Sequence, residues 1–267
     1  MERHVRRGQW RRRAELGLWA ENASTGRRVP GLAGAYAVGA VVIPPGRQAA
    51  FAGVRFGRLA IWGEGLAADI VAPTGHRWLS ESTTGEDPAV LLAHLQDRMR
   101  RAEGNLALDA ASHGWNVVLD GPLNRIRSLH HLVTGYVKTH VARILPDVAH
   151  NAVPDLPVGS RTQLYAAGDD RYTCYLRVGA ARTGQSPWSG IARLDFPAVA
   201  GIAAVTARAD LLAWSLPRYA GVPHRDPRAP VNLTPVKNLE AHLARVLGPV
   251  EFATRAARDG LHLGRTP

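Results

Sequence analysis

Residues 86–121 read EDPAVLLAHLQDRMRRAEGNLALDAASHGWNVVLDG, and this stretch decides the fold class. Glu86 and Asp87 supply an acidic cap, and Pro88 opens a helix at the one place where a missing N–H does no harm. Leu92, Leu95, Met99, Ala102 and Leu106 then recur at helical spacing. A helix over about 88–110 turns that stripe towards the protein body. Trp115 to Leu119 follows as a compact apolar strand, closed by Asp120-Gly121-Pro122.

Upstream, residues 14–20 (AELGLWA) and 34–43 (GAYAVGAVVI) read as strands, separated by the turn-like ENASTGRRVPG. A third strand is expected over 54–62, and residues 63–87 read as connecting structure. Downstream, a short strand is expected near 133–137 and a helix or turn through 140–145. A hairpin is expected over 161–178 and 190–196, then helices over 203–215 and about 235–247. Strands mixed with helices in this order predict an α/β or α+β sheet layered with helices.

Two acids in this frame carry candidate chemistry. Glu103 lies four residues after Met99 and so borders the buried stripe, where an acid needs a pairing partner or a metal. An ion pair with Arg98, Arg100 or Arg101 explains it as well. Asp120 ends a strand, the place where open α/β sheets present ligand-binding groups. An Asp-Gly turn alone is ordinary. A helix-borne Glu and a strand-end Asp together offer the hard oxygens that Mg²⁺ or Mn²⁺ takes.

Composition narrows the partners. The 267 residues carry a formal net charge of +11, which favours a polyanion such as nucleic acid. All but two of the 33 basic residues are arginine, and Lys138 and Lys237 are the exceptions, so coding bias accounts for part of the excess. The single cysteine, Cys174, excludes an intramolecular disulfide and fits a reducing compartment. No apolar stretch follows the basic start MERHVRRGQWRRR, and Gly31 to Ile43 is too short to span a bilayer. The expectation is a cytoplasmic protein with no membrane partner. His130, His131, His140 and His150 lack a compact metal-ligand spacing, and no nucleophile-elbow serine or dinucleotide fingerprint is present.

MRRAE (99–103), VVLDGPL (117–123) and GYVKTH (135–140) follow one another in the order of the NurA family's motifs. GSRTQLYAAG (159–168), RYTCYLRV (171–178), WSGIARLD (188–195) and HRDPRAPVNLTPVKNLEAHL (224–243) resemble an actinobacterial branch of that family of DNA-end-processing nucleases. The resemblance runs from about residue 14 to 258. It implies an RNase H-like mixed sheet flanked by helices, in one domain over 14–260 behind a poorly ordered basic segment over 1–13. It further implies DNA cleavage dependent on Mn²⁺ or Mg²⁺, a hexameric HerA-type ATPase as partner, and a homodimer. By position, Glu103 and Asp120 become metal ligands. Lys138 becomes a phosphate contact or charge stabiliser, and His242 falls at the family's C-terminal histidine. Arg98 and Arg228 join Lys138 as DNA-contacting cations.

Two positions depart from the pattern. The family's first motif, an Asp-Gly pair ending an apolar strand, aligns with Arg7-Gly8, and its C-terminal tyrosine aligns with Thr234. Either the true start lies upstream, or the nuclease centre has decayed into a DNA- or ATPase-binding subunit. The chain as written is expected to cut DNA weakly or not at all.

Overall fold

The computed structural model describes residues 15–21, 25–65, 68–123, 130–140, 144–181, 184–222 and 229–263. The basic segment over 1–13 lies outside them. The chain divides into two compact units, one within 1–102 and 239–267, the other within 103–238. Each holds a mixed five-stranded sheet with helices packed on it, an α/β arrangement.

In the first unit the strands are β1 (Glu15–Glu21), β2 (Arg28–Val42), β3 (Ala50–Trp62), β4 (Ile70–Val71) and β5 (Arg77–Ser82). Their order is β1-β2-β3-β5-β4, antiparallel except where β5 joins β3 in parallel. Strand alternation sends neighbouring residues to opposite faces. Leu32, Leu59 and Ile61 pack with Leu91 and Leu95 of α1 (Pro88–Ser112). Ala33, Ala60 and Trp62 pack instead with Ala256 and Ala257 of α5 (Val250–Leu263). Leu239 and Leu243 of α4 (Thr234–Leu247) cover Ala37 on that same face. The small residues of β2 permit this closeness: a Cβ on Gly34 would run into the Leu95 side chain. The cap of α1 is as the sequence predicts, with the Ala89 N–H donating to Asp87 Oδ1 at 2.7 Å.

The second unit is ordered β6-β7-β10-β9-β8, and only β6 and β7 run parallel. These strands are β6 (Val117–Asp120), β7 (Val133–Val137), β8 (Tyr165–Ala166), β9 (Arg171–Arg177) and β10 (Ile191–Pro197). One face carries Cys174, Leu176, Leu194 and Phe196 against Val205, Ala209 and Leu212 of α3 (Ile202–Ser215). The other carries Tyr175 and Ile191 against Leu145, Val153 and a flanking Ala149 from α2 (Asp147–Ala152). Ala107 and Ala111 from the last turns of α1 pack on Leu123 and Val133.

Four features differ from the expectation. Residues 63–87 hold β4 and β5 rather than plain connecting structure, and α5 extends the helical content past 247. Trp115 lies outside β6 and is 45% exposed. The buried stripe of α1 is turned slightly, through Leu91 rather than Leu92, with Ala102 half-buried.

Candidate functional site at the ends of β6 and β7

β6 and β7 are parallel neighbours, so their carboxyl ends lie at one edge of the sheet. Asp120 is the last residue of β6 and stands opposite Tyr136. Gly121 then turns the chain at φ +121, a backbone region open to glycine, and its N–H donates to Tyr136 O at 2.9 Å. The turn is held close against β7: a Cβ on Gly135 would stand 2.8 Å from Gly121 O.

Lys138 leaves β7 one residue past its end and reaches back. Its Nζ lies 2.9 Å from Asp120 Oδ1 and donates to Asp120 Oδ2 at 2.9 Å. It also donates to Asn232 Oδ1 at 3.2 Å. The ammonium is mostly shielded, with a side chain 18% exposed, whereas Asp120 is 38% exposed. Tyr136 ties the same returning segment down through its hydroxyl, which donates to Val231 O at 2.8 Å. Burial, and then the nearby Asp120 charge, push the Tyr136 phenol well above its ordinary range, so it stays a neutral donor. An acid, an ammonium and an amide are thereby gathered at one strand end from three separate parts of the chain.

The remaining predicted residues are placed as follows. Glu103 is half-buried on α1 within this unit and has a polar partner of its own. Arg98 belongs to the first unit, where its Nη2 pairs with Glu81 of β5 at 2.9 Å. Arg101 pairs with Asp97 at 2.6 Å. His242 also belongs to the first unit, half-buried on α4 and stacked on Phe51 with ring centroids 4.5 Å apart. Arg228 lies outside the described residues. The structure thus brings Asp120 and Lys138 together, with Glu103 in the same unit. Nothing in the sequence marks Asn232 or Tyr136 as a site residue, although Tyr136 stands in GYVKTH (135–140) and Asn232 in the run over 224–243.

Asp120 and Glu103 each offer the hard carboxylate oxygens that Mg²⁺ or Mn²⁺ takes. Among the described residues no three of His, Cys, Asp and Glu converge as a metal-holding group, so the carboxylates of a two-ion centre are not assembled there. Both Asp120 oxygens face the Lys138 ammonium, so a cation arriving at Asp120 would meet a positive charge already placed beside it.

Compared with known proteins, the chain matches no family model and no curated sequence. Among the described residues, no helix is long and apolar enough to cross a membrane.

Proposed function

We propose that this chain is a NurA-type DNA-end-processing nuclease, with an RNase H-like core, that works on DNA at the Asp120–Lys138 edge. One observation carries the reading. Two residues that the motif resemblance assigns to a single site, 18 positions apart, meet at 2.9 Å on one strand-end edge. The Lys138 ammonium is oriented by Asp120 and Asn232, so a phosphate oxygen entering there meets a placed positive charge. Asp120, with Glu103, would hold Mn²⁺ or Mg²⁺, and the bound ion supplies polarisation of the phosphodiester and activation of water. The net charge of +11 provides the general attraction for DNA. A homodimer working with a HerA-type hexameric ATPase in the cytoplasm completes the proposal.

A second reading, a DNA-binding subunit that does not cut, is favoured by the hold of Lys138 on both Asp120 oxygens. Incubation of linear duplex and single-stranded DNA with Mn²⁺ or Mg²⁺ separates the two. The nuclease reading expects metal-dependent cutting that Asp120→Ala abolishes. Tight, salt-sensitive binding without cutting supports the second reading and rejects the first. No binding at low salt rejects both.

A further inference from the structure

The second unit carries a groove of about 770 Å³ between the loop through 158–163 and the outer side of α3. Trp214 projects into it from the last turn of α3 and is 61% exposed. The buried stripe of that helix is Val205, Arg208, Ala209, Leu212 and Ala213, so Trp214 has no place in the core beneath. A large ring left in water forgoes burial worth more than that of any other side chain. Arg218, from the short helical turn after α3, lays its guanidinium over the ring with Cζ 3.4 Å from the centroid. On the facing wall Arg161 is held by Asp210, Nη2 to Oδ1 at 2.6 Å, and donates to Thr162 O at 2.8 Å. Two guanidiniums and one carboxylate therefore line the groove, with the amide of Gln163 exposed at its rim.

We infer that this groove binds an unpaired base of single-stranded DNA, stacked on the Trp214–Arg218 pair with its phosphate against the guanidinium. The inference rests on the DNA-binding reading above. Flat aromatic rings and guanidinium planes are what splayed bases stack on, and every base offers a π face whatever its sequence. A paired base inside a duplex cannot present that face. The excess positive charge of the chain matches this ligand, whereas an apolar protein segment would gain little from the guanidiniums.

The test compares fluorescence anisotropy of labelled oligo-dT and of a blunt duplex with the full chain, in the absence of metal. Trp214→Ala is expected to weaken oligo-dT binding about tenfold or more while duplex affinity changes less than about twofold. Trp214→Phe is expected to restore most of the loss, and Arg218→Gln to weaken the single strand as well. Because Trp214 lies outside the core, the variants should unfold at the wild-type temperature. Unchanged oligo-dT affinity in Trp214→Ala, with wild-type DNA binding intact, overturns the base site alone and points to a protein partner for the groove. Equal losses on duplex and single strand also overturn it. A wild-type chain that binds neither DNA overturns this inference together with the reading it rests on.

Discussion

Arg208 shows what a single side chain contributes here beyond its charge. It lies on the buried stripe of α3, 9% exposed, and its guanidinium donates to Thr134 Oγ1 at 2.7 Å, to His131 O at 3.0 Å and to Val117 O at 3.3 Å. A further bond goes to Leu132 O. Burial pushes its pKa down to about 10, which still leaves it charged at neutral pH. It therefore clamps α3 to the starts of β6 and β7, the strands that end at Asp120 and Lys138. Arg208→Ala leaves several carbonyls without a donor and a void behind, with an expected loss of about 3 kcal/mol in urea unfolding. Arg208→Lys should recover only part, since an ammonium cannot copy the fork. A loss under about 0.5 kcal/mol for the alanine variant would contradict the clamp. An arginine in a helix reads as a solvated residue, and nothing local in the sequence marks this one as buried. Asp120 is more legible, because an acid at a strand end stands out by type and position, whereas Lys138 is reached only through the motif resemblance.

His140 gives the protein a pH dependence of definite sign. Its Nε2–H donates to Ile191 O at 2.9 Å, and its ring packs against Tyr175 and Trp188. Burial, together with the charges of Arg193 and His150, holds its pKa below the ordinary histidine value. The unfolded chain takes up this proton near pH 6.5, while the folded chain resists it until lower pH. This contribution to stability is complete above the unfolded pKa and is lost as pH falls from there towards the folded one. Urea midpoints for wild type should fall through that window, and His140→Phe should flatten the fall. An identical pH slope in both proteins would rule this out.

At the scale of elements, strong local signals fix the structure they announce. The Asp87 cap, the long run of α1 and the strand β7 over Val133–Val137 are all visible in the sequence, because each rests on spacing or a turn residue close by. β5 is hidden because RWLSES (77–82) buries mainly Trp78 and owes its place to parallel pairing with β3, well separated in sequence. α5 is hidden because Gly260 interrupts a helical pattern. Its reason is packing: a Cβ there would stand 2.8 Å from Ile70 Cγ2 and 2.9 Å from Val71 O. Gly260→Ala gains about 0.5–1 kcal/mol of helix propensity and meets an overpacking penalty of about 1–3 kcal/mol. The backbone of β4 cannot give way as a side-chain end would, so the penalty is expected to prevail and the thermal midpoint to fall. A higher midpoint would mean that α5 stands further from β4 than described.

For the molecule as a whole, the order of strands and helices indicates an α/β protein and the charge indicates an affinity for polyanions, but neither marks the division into two units. That division follows from long-range packing, in which the helices from 239 onward return to cover the sheet formed before 102. Such closure leaves no mark on local periodicity. The site is partly legible for the same reason. Asp120 ends one strand and Lys138 follows the end of its neighbour, whereas Asn232 reaches Lys138 across 94 positions. The central claim is that this edge processes DNA. Its most direct measurement is the rate of cutting of end-labelled linear DNA in Mn²⁺ by wild type, Asp120→Asn and Lys138→Met. Weak, metal-dependent cutting by wild type, abolished by Asp120→Asn and reduced about a hundredfold by Lys138→Met, is the predicted result. Cutting by Asp120→Asn at the wild-type rate, or no cutting by any of the three, would contradict it.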